Sequence, residues 1–160
     1  MKQKFDEFLK SSWGLELWLG NEIIFRSKKS GVRGLLDFIL ASEREMKACL
    51  HFERARQENG ESHINERSEN QEDIIIFDKI VGQAVAFLAA YLKAKEVYGA
   101  TGSELAAQAL EKHKIKFYFR KTVPNILNKD KTDLCPMEKL SIAKTPEEFY
   151  NSLKQNVNFN

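Results

Sequence analysis

Apolar positions recur at helical spacing from the start of the chain. Phe5, Phe8 and Leu9 share one face of residues 2–11, with Lys and Asp/Glu opposite. This predicts a short amphipathic helix, which Gly14 separates from the next element. The period then changes. Leu15, Leu17 and Leu19 alternate with Glu16 and Trp18, and Ile23, Ile24 and Phe25 resume the apolar signal after Gly20-Asn21. Residues 15–19 and 22–28 therefore predict a β-hairpin, turned by two residues that take positive φ cheaply. Ser27 to Gly34 reads as a basic loop punctuated by glycine. A long helix is expected from near Gly34, with Leu35, Leu36, Ile39, Leu40, Met46, Cys49 and Leu50 as its stripe. Its second half is so charged that it should run out from the body into solvent.

Residues 57–72 hold one large apolar residue, Ile64, among Glu, Asn, Ser, Gln, Arg, His and Gly. Such a segment cannot offset its ordering entropy by burial, so it reads as a mobile polar insertion within one domain spanning 1–160. Ile74 to Phe77 is a buried run of undecided type. From Asp78 a helix is expected through Ile80, Val81, Ala84, Val85, Leu88 and Leu92, apolar nearly all round. Glu96 to Ala100 reads as a buried strand, and Thr101-Gly102-Ser103 opens a helix over 103–113. Residues 116–121 form a strand in which Phe117 and Phe119 alternate with Tyr118 and Arg120, ended by Pro124. A loop over 128–134 precedes two helices. The last is announced by Thr145-Pro146-Glu147-Glu148: a cap, a proline at the first helical position and a glutamate at the third. The order of elements predicts an α/β fold, a mixed sheet covered by helices.

Composition narrows the class without naming a function. A chain of 160 residues can bury roughly 70% of its unfolded surface and needs no staples. Its 25 Lys and Arg against 23 Asp and Glu leave a formal charge of only +2, too balanced for a dedicated nucleic-acid footprint. Nothing approaches the roughly 20 apolar residues of a membrane span, and no apolar stretch succeeds the first lysines as in a secretory signal. The two cysteines, Cys49 and Cys135, are too far apart and too few for a disulfide framework, which points to a reducing cytoplasm.

Four short motifs carry a resemblance: Asp78-Lys79-Ile80-Val81-Gly82, Glu96-Val97-Tyr98-Gly99, Val123-Pro124 and, most specific, Cys135-Pro136-Met137-Glu138-Lys139. In these, the stretch from Asp78 to Lys154 resembles a small prokaryotic family of domains of unknown function whose fold is similar to that of the cytidine deaminases. The hairpin 15–28 also fits, whereas residues 41–72 look like an extension. The resemblance implies a three-layer α/β/α, cytidine-deaminase-like domain.

A zinc deaminase needs His-x-Glu and Pro-Cys-x-x-Cys to supply metal ligands and a general acid/base. In the deaminase-like layout these sit at two helix starts following strands. The corresponding starts here read Asp78-Lys79-Ile80 and Thr101-Gly102-Ser103-Glu104, without ligands. His51-Phe52-Glu53 spells His-x-Glu, but no Cys-x-x-Cys completes it, so a chance match is the better reading. Neither zinc nor another cofactor is expected. Cys135, before Pro136, is the candidate reactive thiol: as an N-cap its sulfur would face the positive end of a helix dipole, with Asp133 opposing ionisation. The bland alternative makes Cys135 a packed cap and Glu138 its capping-box partner. The candidate ligand-binding residues are Asp78, Lys79, Gly82, Thr101, Gly102, Ser103 and Arg33, since backbone amides at helix starts beyond strand ends hold anions. Each can equally be a plain cap or turn residue. Gly82 inside a helix would cost about 1 kcal/mol against Ala, which a close approach by another element or a ligand would explain. The leading expectation is a module binding a nucleotide-like or other anionic small molecule. The alternatives are a thiol-dependent enzyme or redox sensor built on Cys135, and an interaction protein using the long charged helix. Self-association into a homo-oligomer is left open, and nucleic acid and membrane are not expected partners.

Overall fold

The computed structural model describes residues 1–57 and 73–155, with side chains for all of these except 47–57. The insertion expected over 57–72 lies outside the described residues but for Gln57, and so do the side chains of Cys49, His51 and Glu53.

Helix α1 (Lys2–Lys10) leads into a hairpin of β1 (Leu15–Leu19) and β2 (Glu22–Ser27), and α2 (Val32–Gln57) follows. Then come β3 (Ile74–Val81), α3 (Gln83–Tyr91), β4 (Glu96–Ser103), α4 (Glu104–Lys112) and β5 (Lys116–Val123). Two short helices, α5 (Pro136–Ser141) and α6 (Pro146–Gln155), close the chain. The strands form one mixed sheet in the order β2-β1-β3-β4-β5. β1 runs antiparallel to both its neighbours, while β3, β4 and β5 are parallel. Gly20 turns the hairpin at φ +56°, as the Gly-Asn pair predicts.

Both faces of the sheet are covered. Leu15 and Leu17 of β1, Ile76 and Val81 of β3 and Val97 of β4 join Leu35 and Ile39 of α2, most of α3, Ala106 and Leu110 of α4, and Phe149, Tyr150 and Leu153 of α6 in the main core. On the other face, Trp18, Ile75 and Phe77 meet Phe5 and Phe8 of α1 in a smaller aromatic core. Phe77 stands edge-on to Phe5 with ring centres 5.4 Å apart.

The structure corrects the element expected from Asp78. Residues 74–81 are one strand, and the helix begins only at Gln83. A strand buried on both faces is apolar at consecutive positions, and so is a helix buried on all sides, so periodicity does not separate them. Pairing decides: Ile80 and Val81 are aligned with Thr101 and Gly102 of β4. β4 likewise runs on to Ser103, which places Thr101 and Gly102 in the strand instead of a helix-opening loop. α2 starts two residues before Gly34. Among the described residues, no helix is long and apolar enough to cross a membrane.

Candidate functional site

The parallel strands β3 and β4 end side by side, and each feeds a helix directly: Val81-Gly82 into α3 and Ser103 into α4. Two sets of unpaired helix amides thus converge at one sheet edge. Ser103 caps α4, its hydroxyl oxygen accepting from Ala106 N–H at 3.0 Å. Gly82 caps α3 without a side chain to do so.

The missing cap is supplied from 55 residues away. Glu138, in the first turn of α5, is only 2% exposed and turns its carboxylate onto the α3 start. Oε2 accepts from Gln83 N–H at 2.8 Å, and Oε1 accepts from the Ser103 hydroxyl at 3.2 Å. Burial pushes the Glu138 carboxyl above its ordinary value, against the opposing pull of Ser103 and the amides of Gln83, Ala84 and Ile126. The Ser141 hydroxyl adds a second tie, donating to the Gln83 side-chain oxygen at 3.0 Å. Gly82 is explained by the same contact, because a Cβ there would stand 2.5 Å from Glu138 Oε1. The close approach that this glycine suggested is therefore real, and the approaching group is a side chain of the protein itself. Glu138 is not the reciprocal partner of Cys135.

Asp78 repeats the arrangement one strand across. It is fully buried in β3, and its carboxylate accepts from Gly31 N–H, 2.7 Å from Oδ2 and 3.0 Å from Oδ1. Gly31 immediately precedes α2, so Asp78 serves the start of that helix and not one of its own. Oδ1 also accepts from Ile80 N–H at 2.9 Å. Burial raises its carboxyl to about 8, opposed by the amides of Ile80, Gly31 and Lys79.

The other candidates disperse. Lys79 points to the opposite face, where its Nζ donates to Ser11 O at 2.9 Å just beyond α1. Gly102 packs under Phe119, whose ring a Cβ would meet at 2.1 Å. Thr101 is half-buried in β4, and Arg33 is exposed on the first turn of α2. Cys135 caps α5 as expected, half-exposed, with no side-chain hydrogen bond to the helix amides. Asp133 is engaged with Lys139. Among the described residues, no three His, Cys, Asp or Glu side chains gather as a metal-ligand set.

The sequence profile of a family described as Domain of unknown function (DUF1893) matches residues 60–157. The chain belongs to this family. The matched span holds Asp78, Gly82, Ser103 and Glu138, while α1 and the hairpin precede it. Among solved structures, a DUF1893 family protein from Thermotoga maritima is similar over 97% of this chain and 88% of its own, at 22% identity and a TM-score of 0.70. That likeness carries the DUF1893 fold across α1, the hairpin and the sheet alike. A search of curated proteins gave no match.

Proposed function

We propose that this DUF1893 chain is a deaminase-like scaffold without zinc ligands that works as a binding module for an anionic small molecule. Three features support the deaminase-like reading: the mixed five-stranded sheet, the two helices opening from adjacent parallel strands, and the meeting of those openings at one edge. The openings carry Gly82-Gln83 and Ser103-Glu104, without the His-x-Glu and Pro-Cys-x-x-Cys residues of a zinc deaminase. The observation that carries the ligand class is the resident anion. The α3 amide and the α4 cap hydroxyl hold the Glu138 carboxylate at 2.8 and 3.2 Å. A ligand carboxylate or phosphate offers the same acceptors to the same donors. It would take the place of the Glu138 carboxylate, which those donors now hold.

Differential scanning fluorimetry with inorganic phosphate, acetate and nucleoside monophosphates tests this on the native chain and on Glu138→Gln. One of these anions raises the melting temperature in a dose-dependent way, and more in Glu138→Gln, where no charged side chain competes. If none shifts either protein, the anion-binding reading is wrong. The thiol reading gains no such support, since the Cys135 side chain makes no capping hydrogen bond to the α5 amides it would need.

A further inference from the structure

We propose that the open edge of β5 docks an extended segment of a partner protein in which acidic and apolar residues alternate. β5 is the last strand of the sheet and pairs on one side only, with β4. It is eight residues long and regular, so among the described residues its outer edge presents a ladder of backbone donors and acceptors with no neighbouring strand.

The two faces of that edge differ. Lys116, Tyr118 and Arg120 project on the α1 side and are exposed, Tyr118 at 42%. Lys2 Nζ, 5.5 Å from the centre of the Tyr118 ring, adds another cation there. Phe117 and Phe119 project on the opposite side, half-buried against the main core, with the exposed Lys121 following them on that face at the carboxyl end of the strand. Among the described residues, neither Lys116 nor Arg120 takes part in an ion pair. The nearest acid in the ladder, Glu96 opposite Lys116, accepts from the Tyr98 hydroxyl at 2.8 Å.

This charge pattern selects the occupant. A second copy pairing through β5 would set Lys116 and Arg120 against their own kind, and like charges across a strand pair repel. An added strand with Glu or Asp on the α1 side meets those cations. Its alternate apolar side chains, projecting to the other face, cover the exposed parts of Phe117 and Phe119. A hollow of about 130 Å³ between Glu96, Tyr98, Lys116, Phe117 and Tyr118 offers room for a side chain at the amino end of the strand.

The test uses a fluorescein-labelled (Glu-Val)4 octapeptide, read by anisotropy and by amide hydrogen exchange of the full chain. The expected result is binding about tenfold tighter than that of (Lys-Val)4 at low salt, with slowed exchange of alternate amides along β5. The exposed double substitution Lys116→Glu/Arg120→Glu, checked for folding by circular dichroism, reverses the preference between the two peptides. A version of (Glu-Val)4 N-methylated at every residue keeps the charge but has no N–H left on either edge and cannot pair as a strand. Equal binding of that version overturns the proposal, and so does protection away from β5. Tighter binding of oligothymidylate than of (Glu-Val)4 overturns it as well, by making the edge a nucleic-acid surface.

Discussion

Removing the Glu138 carboxylate by Glu138→Ala strips the α3 start of its acceptor and leaves α5 held to α3 by the Ser141 hydroxyl alone among its hydrogen bonds to Gln83. Gln83 N–H loses a charge-assisted bond of 2.8 Å, and the Ser103 hydroxyl loses one of 3.2 Å. Bonds to a charged partner contribute about 1.5–3 kcal/mol each. Part of this is offset because the carboxylate no longer has to be desolvated, the effect that holds its pKa up. The net loss of unfolding free energy is therefore about 2–4 kcal/mol. Gly82→Ala reaches the same interaction from the other side. Its backbone, at φ −95°, suits any residue, and the nearest atoms a methyl would meet are those of the Glu138 carboxylate, the closest at 2.5 Å. Expelling that carboxylate costs roughly 2 kcal/mol on the scale of overpacking. In the Glu138→Ala background the methyl meets no carboxylate and costs close to nothing, so the double-mutant cycle carries a coupling of about 2 kcal/mol. Urea unfolding at pH 7, followed by far-UV circular dichroism and by the fluorescence of Trp13 and Trp18, measures all four corners. Additivity within about 0.5 kcal/mol would refute the reasoning, because it would mean that Glu138 does not rest on Gly82.

The raised carboxyls make stability pH-dependent with a definite sign. Asp78 has an unfolded pKa near 3.8 and a folded one of about 8, so the stability its protonated form contributes is full below 3.8 and is lost as pH rises towards 8. Unfolding free energies from urea titrations at pH 5, 6.5 and 8 should fall along that series by up to about 1.4 kcal/mol per pH unit, and Asp78→Asn should flatten the decline; a rise with pH in the native chain would contradict the assignment. Glu43, whose Oε1 accepts from the Tyr150 hydroxyl at 2.8 Å, ties α2 to α6. Glu43→Ala leaves that buried hydroxyl without its acceptor and costs about 1–3 kcal/mol, whereas Lys154→Ala, which removes only the outer ion pair to Glu43, costs under about 1 kcal/mol; equal losses in urea unfolding would show that the pair, not the hydroxyl, holds the corner. Leu17→Ala, in β1 with no exposed surface, costs about 2–5 kcal/mol by the same measurement.

How much of this was legible differs from element to element. The hairpin was readable because Leu15, Leu17 and Leu19 alternate and Gly20-Asn21 is a turn pair, both local signals. α6 was readable from its capping box, and the structure closes that box with Thr145 N–H on Glu148 and Glu148 N–H on Thr145. The strand from Ile74 to Val81 was misread over its second half. Covered by α1 on one face and by α2 and α3 on the other, it loses the polar alternation that marks a half-exposed strand. Asp78 compounded the error, because an aspartate before an apolar run is the usual sign of a helix start. It does cap a helix, but that helix is α2, reached across the sheet at Gly31.

The site was half legible for a related reason. The two strand-to-helix openings could be located, and Gly82 was a sign that something comes close. The identity of the approaching group could not be read, because the partner lies 55 residues on and capping rules concern neighbours along the chain. Pro136-Met137-Glu138 satisfies the local pattern for a residue serving its own helix, and that pattern hides the long-range role. The two buried carboxylates thus share one logic. Each sits on an element other than the helix it serves, Asp78 on β3 for α2 and Glu138 on α5 for α3. Each accepts amides at a start that opens with glycine, Gly31 or Gly82, and so lacks a capping side chain of its own. Sequence patterns show such starts as uncapped, and an uncapped start at the end of a parallel strand reads as an anion site awaiting a ligand. Here the anion comes from within the chain, so a ligand at the edge of β3 and β4 must compete with it. On the binding reading proposed for this chain, affinity would be a difference between two anions, with the Glu138 side chain setting the threshold a ligand has to exceed.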